Sequence, residues 1–297
     1  MTKTKTSIEE KSVLLVLEFK LMGNTRTVDN RQVTVDAEKD RTKTTKKLIE
    51  SPAFDAIRSH DSKTRAFLYS RSLPSLFKEG VFRIPNTFVA DVDDYLIARA
   101  TERKALVKEF RKEYVNAVKE AATDLRSLFN PADYPHADDI TAEFNLQWSY
   151  VAFSTPDTLK GIKSGLFERE KKKTAELFRS ANEEIKNLLR ASTAELVNFM
   201  VEKLSTKPGE KTKRIHESTI AKYQDFLATF DARNLVDDTE LKGIVDKAKK
   251  LISTASVDDL KEGGALREKV KEGFTAIKSE IDKMIVVNPA RKFSFED

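Results

Sequence analysis

The sequence predicts a mainly α protein: an elongated, coiled-coil-like antiparallel hairpin of two long helices, with a small antiparallel β element at one end and a C-terminal helical bundle. Three observations predict it. Charged residues make up 34% of the chain, against roughly 25% in an average globular domain, while 297 residues contain only 9 Gly and 8 Pro, so few positions break a helix. Apolar residues recur every 3.5 to 3.6 positions, roughly, from Asp91 to about residue 129 and again from about residue 160 to Leu204. Between those stretches lies a run rich in Pro, Asn and aromatics, residues 130–153, whose last part alternates like a strand.

Taken in order, residues 1–90 read as a strand, a hairpin and short helices. Ser12 to Gly23 carries an apolar run of strand length, with Leu15, Leu17, Phe19 and Leu21 alternating on one face. Gly23-Asn24 is a turn signal, and Thr25 to Val35 is β-prone but too polar for a central strand, which suits an edge. Lys39 to Ser51 is strongly basic and leads into helices broken at Ser51-Pro52, with a further piece over Ser62 to Leu73. On this reading His60 and Asp61 fall in a polar turn. Gly80 to Pro85 reads as a turn and short strand.

Residues 91–204 form the hairpin. Val92, Leu96, Arg103, Leu106/Val107, Phe110, Tyr114, Ala117/Val118, Ala121, Leu125 and Leu128/Phe129 fall on one stripe, with Asp91, Asp93 and Asp94 placed where carboxylates favour a helix N-terminus. About 38 residues at about 1.5 Å each give an arm of about 55 Å. Asn145 to Phe153 (NLQWSYVAF) has a strand's composition, and Thr155-Pro156-Asp157 a helix start's. Leu166/Phe167, Thr174, Leu177/Phe178, Ala181, Ile185, Leu188/Leu189, Ser192, Leu196, Phe199/Met200 and Leu204 continue the stripe on the second arm, so the two arms are expected to pack on each other. Residues 205–213 (STKPGEKTK) read as a linker, 214–287 as three shorter amphipathic helices, and 288–297 as an exposed tail with Phe293 and Phe295 spaced for docking.

Several function classes are disfavoured at once. Without cysteine there is no disulfide, thiolate metal site or cysteine nucleophile, and three histidines do not furnish an all-imidazole zinc site. No phosphate loop, nucleophile elbow or H-E-x-x-H pair occurs. The expectation is therefore a protein that is not an enzyme and needs no cofactor. The N-terminus lacks an apolar signal core and no stretch is long and apolar enough to span a bilayer, so a soluble, cytoplasmic protein without a membrane partner is expected.

The order of the N-terminal strand, Arg71 to Pro85 (RSLPSLFKEGVFRIP), Leu106, Val107, Phe110 and Tyr114 on a long helix, Asp133-Tyr134-Pro135, and Trp148 to Phe153 (WSYVAF) resembles an uncharacterised bacterial and phage family. Its members are often encoded beside MoxR-type AAA+ ATPases. The resemblance covers roughly residues 10–200. It implies a bacterial or phage setting and an ATPase partner, and carries no catalytic residue.

Two sets of residues are candidates for a surface. Tyr134, His136, Trp148, Tyr150 and Phe153 concentrate at the insert and would serve a protein partner, possible oligomerisation included, although apolar strand residues more often belong to the core. Arg169, Lys171, Lys172, Lys173, Lys211, Lys213 and Arg214 form basic clusters suited to phosphate backbones, but acids and linker residues interrupt them and the net charge is only +5 from 53 basic and 48 acidic residues. Asp133, His136, Asp138, Asp139 and Glu143 lack EF-hand spacing, and capping of a short helix accounts for them better than a divalent ion does. A non-enzymatic scaffold, adaptor or oligomer subunit is the leading expectation, with nucleic-acid binding and ATPase adaptation as alternatives.

Overall fold

The computed structural model describes residues 8–285 except 35, 39–40, 76, 78, 206–216 and 254–263. The fold is mainly α with a small antiparallel sheet. In chain order the elements are α1 (Ile8–Lys11), β1 (Ser12–Lys20), β2 (Thr25–Thr27), β3 (Thr45–Lys47), α2 (Pro52–Arg71), β4 (Val81–Pro85), α3 (Val89–Leu125) and β5 (Asn145–Val151). They are followed by α4 (Leu159–Ile162), α5 (Ser164–Leu204), α6 (Glu217–Ala228), α7 (Phe230–Arg233), α8 (Thr239–Ser253) and α9 (Ala265–Ile281). One sheet has the order β4–β1–β5, and β2 pairs separately with β3.

The chain divides into two compact units: Met1–Leu14 with Tyr69–Val89 and Val151–Asp297, and Leu15–Leu68 with Ala90–Tyr150. In the first, the apolar stripe of α5 from Ile185 to Leu204 meets α6, α8 and α9 through Tyr223, Phe226, Val245, Phe274 and Ile277. This is the C-terminal bundle that the periodicity predicts. Arg190 ties three of its pieces together: its Nε donates to Asp238 Oδ2 at 2.7 Å and its Nη1 to Met284 O at 3.2 Å. Asp238 in turn caps α8, its Oδ1 accepting from Leu241 N at 3.2 Å. Arg267 donates to Lys203 O at 2.6 Å and Leu204 O at 3.3 Å, closing carbonyls that the end of α5 leaves open. Gly273 allows α9 to lie close to α8, since a Cβ there would stand 2.6 Å from Leu251 Cδ2. Arg233, 2% exposed, donates to Ser70 O at 2.8 Å, and burial pushes its guanidinium pKa down to about 10.

In the second unit the buried face of α3, from Val107 to Ala117, packs on Leu48, Ile49, Phe54, Ile57 and Ile140. Phe110 lies 5.3 Å from Phe54 and 5.6 Å from Phe144, ring centre to ring centre, in tilted and edge-on geometry. Tyr114 reaches the far side of this core, where its hydroxyl donates to Pro135 O at 2.8 Å; burial first, and then Tyr134, raise its pKa to about 12. Asn24 clamps the strand entry by donating to Ile49 O at 2.8 Å and accepting from Ile49 N at 2.7 Å.

Several local expectations are revised. The stripes of the two long helices are each covered by elements of their own unit, the core of one containing α8 and α9 and that of the other α2. Periodicity reports that a face is buried, not what buries it. Pro52 does not break a helix but opens one: α2 runs unbroken for 20 residues, because proline at the first turn gives up no helical bond. His60 and Asp61 therefore sit inside a helix and are buried. The basic segment before it holds a strand, β3, whose Thr45, Lys46 and Lys47 pair with Thr27, Arg26 and Thr25. Lys46 there meets Asp133 at 2.6 Å. The second arm starts later than Thr155-Pro156-Asp157 suggests, since Lys163, extended at φ −160°, separates the short α4 from α5. The linker core 206–213 and the tail lie outside the described residues.

Candidate functional site: a cationic groove beside an uncharged edge strand

The stripe that anchors α3 also fixes what its flank presents. Lys104, Lys108 and Arg111 follow one another at helical spacing on the exposed side of Val107. None of the three has an acid three or four positions away on the helix, so no carboxylate of α3 balances them, and Lys104 and Lys108 repel each other. Opposite them run Thr141, Phe144, Asn145 and Leu146, leaving an open groove of about 390 Å³. Its lining holds four cations and no acid.

One of the four is already neutralised. Arg103, 3% exposed, donates from Nε to Asp61 Oδ1 at 2.8 Å and from Nη2 to Asp61 Oδ2 at 2.9 Å, a bidentate pair, with a further bond from Nη2 to Lys20 O at 2.9 Å. Lys104 and Lys108 have no ion-pair partner among the described residues. Arg111 has only Asp138, at 3.9 Å, with both side chains half exposed or more. Phe144 forms the floor with Val107, its ring held edge-on by Phe54 and Phe110. Lys20 secures the opposite wall by donating to Ala142 O at 2.8 Å and pairing with Glu143 at 3.3 Å.

The groove runs into β5, one edge of the three-stranded sheet. Among the described residues, no backbone hydrogen bond joins residues 145–151 to anything outside that sheet. Phe144 to Pro156 is a run of 13 residues without a charge, the longest in the sequence. Exposed edges ordinarily carry lysines, prolines or bulges that prevent pairing; β5 has no charged residue and no proline.

The residues singled out from sequence are not brought to one place. Trp148 and Tyr150 share a partner, Asp93: Trp148 Nε1 donates to its Oδ1 at 2.9 Å and the Tyr150 hydroxyl at 3.2 Å. Burial first, and then the Asp93 carboxylate, push the Tyr150 pKa up to about 12. Tyr134 is packing, stacked on Phe129 and donating to Leu48 O at 3.2 Å, while His136 is exposed beside Asp138. Phe153 belongs to the first unit, edge-on to Phe77 at 4.6 Å and Phe178 at 6.0 Å. Of the basic clusters, Arg169 and Lys173 both contact Glu170, at 3.4 Å and 2.9 Å, which holds that carboxyl below its ordinary pKa. Lys171 and Lys172 are exposed; Lys211, Lys213 and Arg214 lie outside the described residues.

Sequence reading missed Lys104, Lys108, Arg111 and Phe144. The signal was present as a cation row with no acid at helical spacing, hidden by the many acids on the other faces of the same helix. Among the described residues no group of three or more His, Asp or Glu side chains is arranged to hold a metal ion, and no helix is long and apolar enough to cross a membrane. In comparisons with protein families, characterised proteins and solved structures, nothing matches the chain.

Proposed function

We propose that this protein is a non-enzymatic binding module, an adaptor or scaffold subunit that captures an extended segment of a partner protein by pairing it with the free edge of β5. One observation carries the reading: a seven-residue edge strand with no charge and no proline, in a chain that is 34% charged. Strand addition takes its affinity from main-chain hydrogen bonds and its specificity from alternate side chains. Trp148 and Tyr150, anchored to Asp93, would hold the strand rigid for this purpose. The resemblance of residues 10–200 makes a MoxR-type AAA+ ATPase the first partner to try.

The test uses the full chain and the variant Ser149→Lys, which places a charge on an exposed position of the edge. A partner captured by the wild type should be re-purified and added back during amide hydrogen exchange. Residues 145–151 should slow, and Ser149→Lys, with an unchanged circular dichroism spectrum, should lose the complex. Equal binding by Ser149→Lys, or protection confined to other segments, overturns the reading.

A further inference from the structure

The cations beside β5 identify what kind of segment the edge accepts. We propose that the groove between α3 and residues 141–146 receives an extended acidic peptide of a partner protein, its carboxylates toward Lys104, Lys108 and Arg111 and its apolar side chains on Phe144 and Leu146. The inference rests on the strand-addition reading for the direction of the bound segment, and on independent residues for its chemistry.

Charge is the first argument. In a groove whose lining holds no acid, Asp61 neutralises Arg103 and Arg111 has Asp138 only at 3.9 Å, while Lys104 and Lys108 have no ion-pair partner among the described residues, so a local positive excess remains. Two of its lysines stand in an unfavourable like-charge pair four positions apart, and ligand carboxylates convert that repulsion into attraction. Spacing is the second argument. Four residues of helix advance about 6 Å, while alternate side chains on one face of an extended strand are about 6.7 Å apart. Acids at every second position of a segment running along α3 would therefore match Lys104 and Lys108 one for one. The floor is the third argument. Val107, Phe144 and Leu146 offer apolar contact for the intervening side chains.

A single-stranded nucleic acid also presents regularly spaced anions, but it needs free aromatic faces for its bases. Trp148 and Tyr150, the aromatics of the adjoining strand, are bound to Asp93, whose carboxylate repels a phosphate. The observations favour the peptide.

The test is fluorescence anisotropy with the 297-residue chain and a labelled Asp-Leu-Asp-Leu-Asp-Phe peptide, its Asn-for-Asp counterpart and a labelled oligothymidine. The acidic peptide should bind in a salt-dependent manner, and the Asn peptide at least ten-fold more weakly. Binding should fall at least ten-fold in Lys104→Glu/Lys108→Glu and in the milder Lys104→Gln/Lys108→Gln. It should stay within two-fold in Lys112→Ala, because Lys112 pairs with Glu109 outside the groove and its loss adds no acid beside Lys108. Absence of acidic-peptide binding, equal binding by the lysine variants, or tighter binding of oligothymidine than of peptide overturns the proposal. Ser149→Lys separates the two readings. If it binds the peptide normally while Lys104→Glu/Lys108→Glu does not, the groove stands and strand addition falls; the reverse pattern removes the groove and leaves strand addition.

Discussion

His60 is buried on α2, 4% exposed, with Nε2 3.6 Å from Glu102 Oε2 and Nδ1 3.4 Å from Asp61 Oδ1. Burial first, and then the Arg99 guanidinium, hold its pKa below the ordinary 6.5, outweighing the pull of Asp61 and Glu102. The unfolded chain therefore takes up this proton at a higher pH than the folded chain does. The stability that the neutral imidazole contributes is fully present above about pH 6.5 and is lost as pH falls from there toward the lowered folded value. Urea unfolding at pH 7.5 and 5.5 should show a larger loss for the wild type than for His60→Gln, and equal losses would contradict the assignment. Its neighbour Asp61 is harder to replace. Asp61→Ala leaves Arg103 buried and unpaired and should cost about 3–5 kcal/mol. Neither role is legible locally, because His60-Asp61 reads as a polar turn until Arg103, 42 residues on, supplies the counter-charge that allows burial.

At the scale of elements, α3 was the most legible part of the chain. The residues of α3 that are buried, Val92, Leu96, Arg103, Val107, Phe110, Tyr114, Ala117 and Ala121, all lie on the stripe that its periodicity marks. Even Arg103 falls in register, which is why its guanidinium had to find an acid. What covers the stripe was not legible, since α2, Ile140 and Phe144 reach it through turns whose geometry depends on contacts distant in sequence. The same limit applies to β3, a three-residue strand in a basic segment that exists because Thr25 to Thr27 pairs with it. The stripe makes a direct prediction for stability. Phe110→Ala removes a fully buried ring that contacts Phe54, Tyr114 and Phe144 and should lower the unfolding free energy by about 3–5 kcal/mol. Lys112→Ala, on the exposed face of the same helix, should change it by less than about 0.5 kcal/mol. A comparable loss in both would mean that α3 is not held by this face.

For the whole molecule, the question is whether its charge acts through the total or through its placement. Lys104→Glu/Lys108→Glu and Lys171→Glu/Lys172→Glu each replace two positive charges with two negative ones, taking the net charge from +5 to +1. If the acidic peptide is drawn by the overall positive charge, the two variants should weaken it equally. Screening argues otherwise: at physiological ionic strength a charge is felt over about 8 Å, and only the first pair lines the groove. Lys171 and Lys172 sit on an exposed stretch of α5 among Glu168, Glu170 and Glu176, in a field that is already mixed. The first variant should therefore lose at least ten-fold in peptide affinity at 150 mM salt and the second less than two-fold. Lowering the salt to 20 mM lengthens the screening distance to about 20 Å, so the wild type should then bind the peptide more tightly while the first variant stays weakest. Equal losses at 150 mM would show that the peptide responds to total charge, and the cation row of α3 would then be an ordinary solvated face.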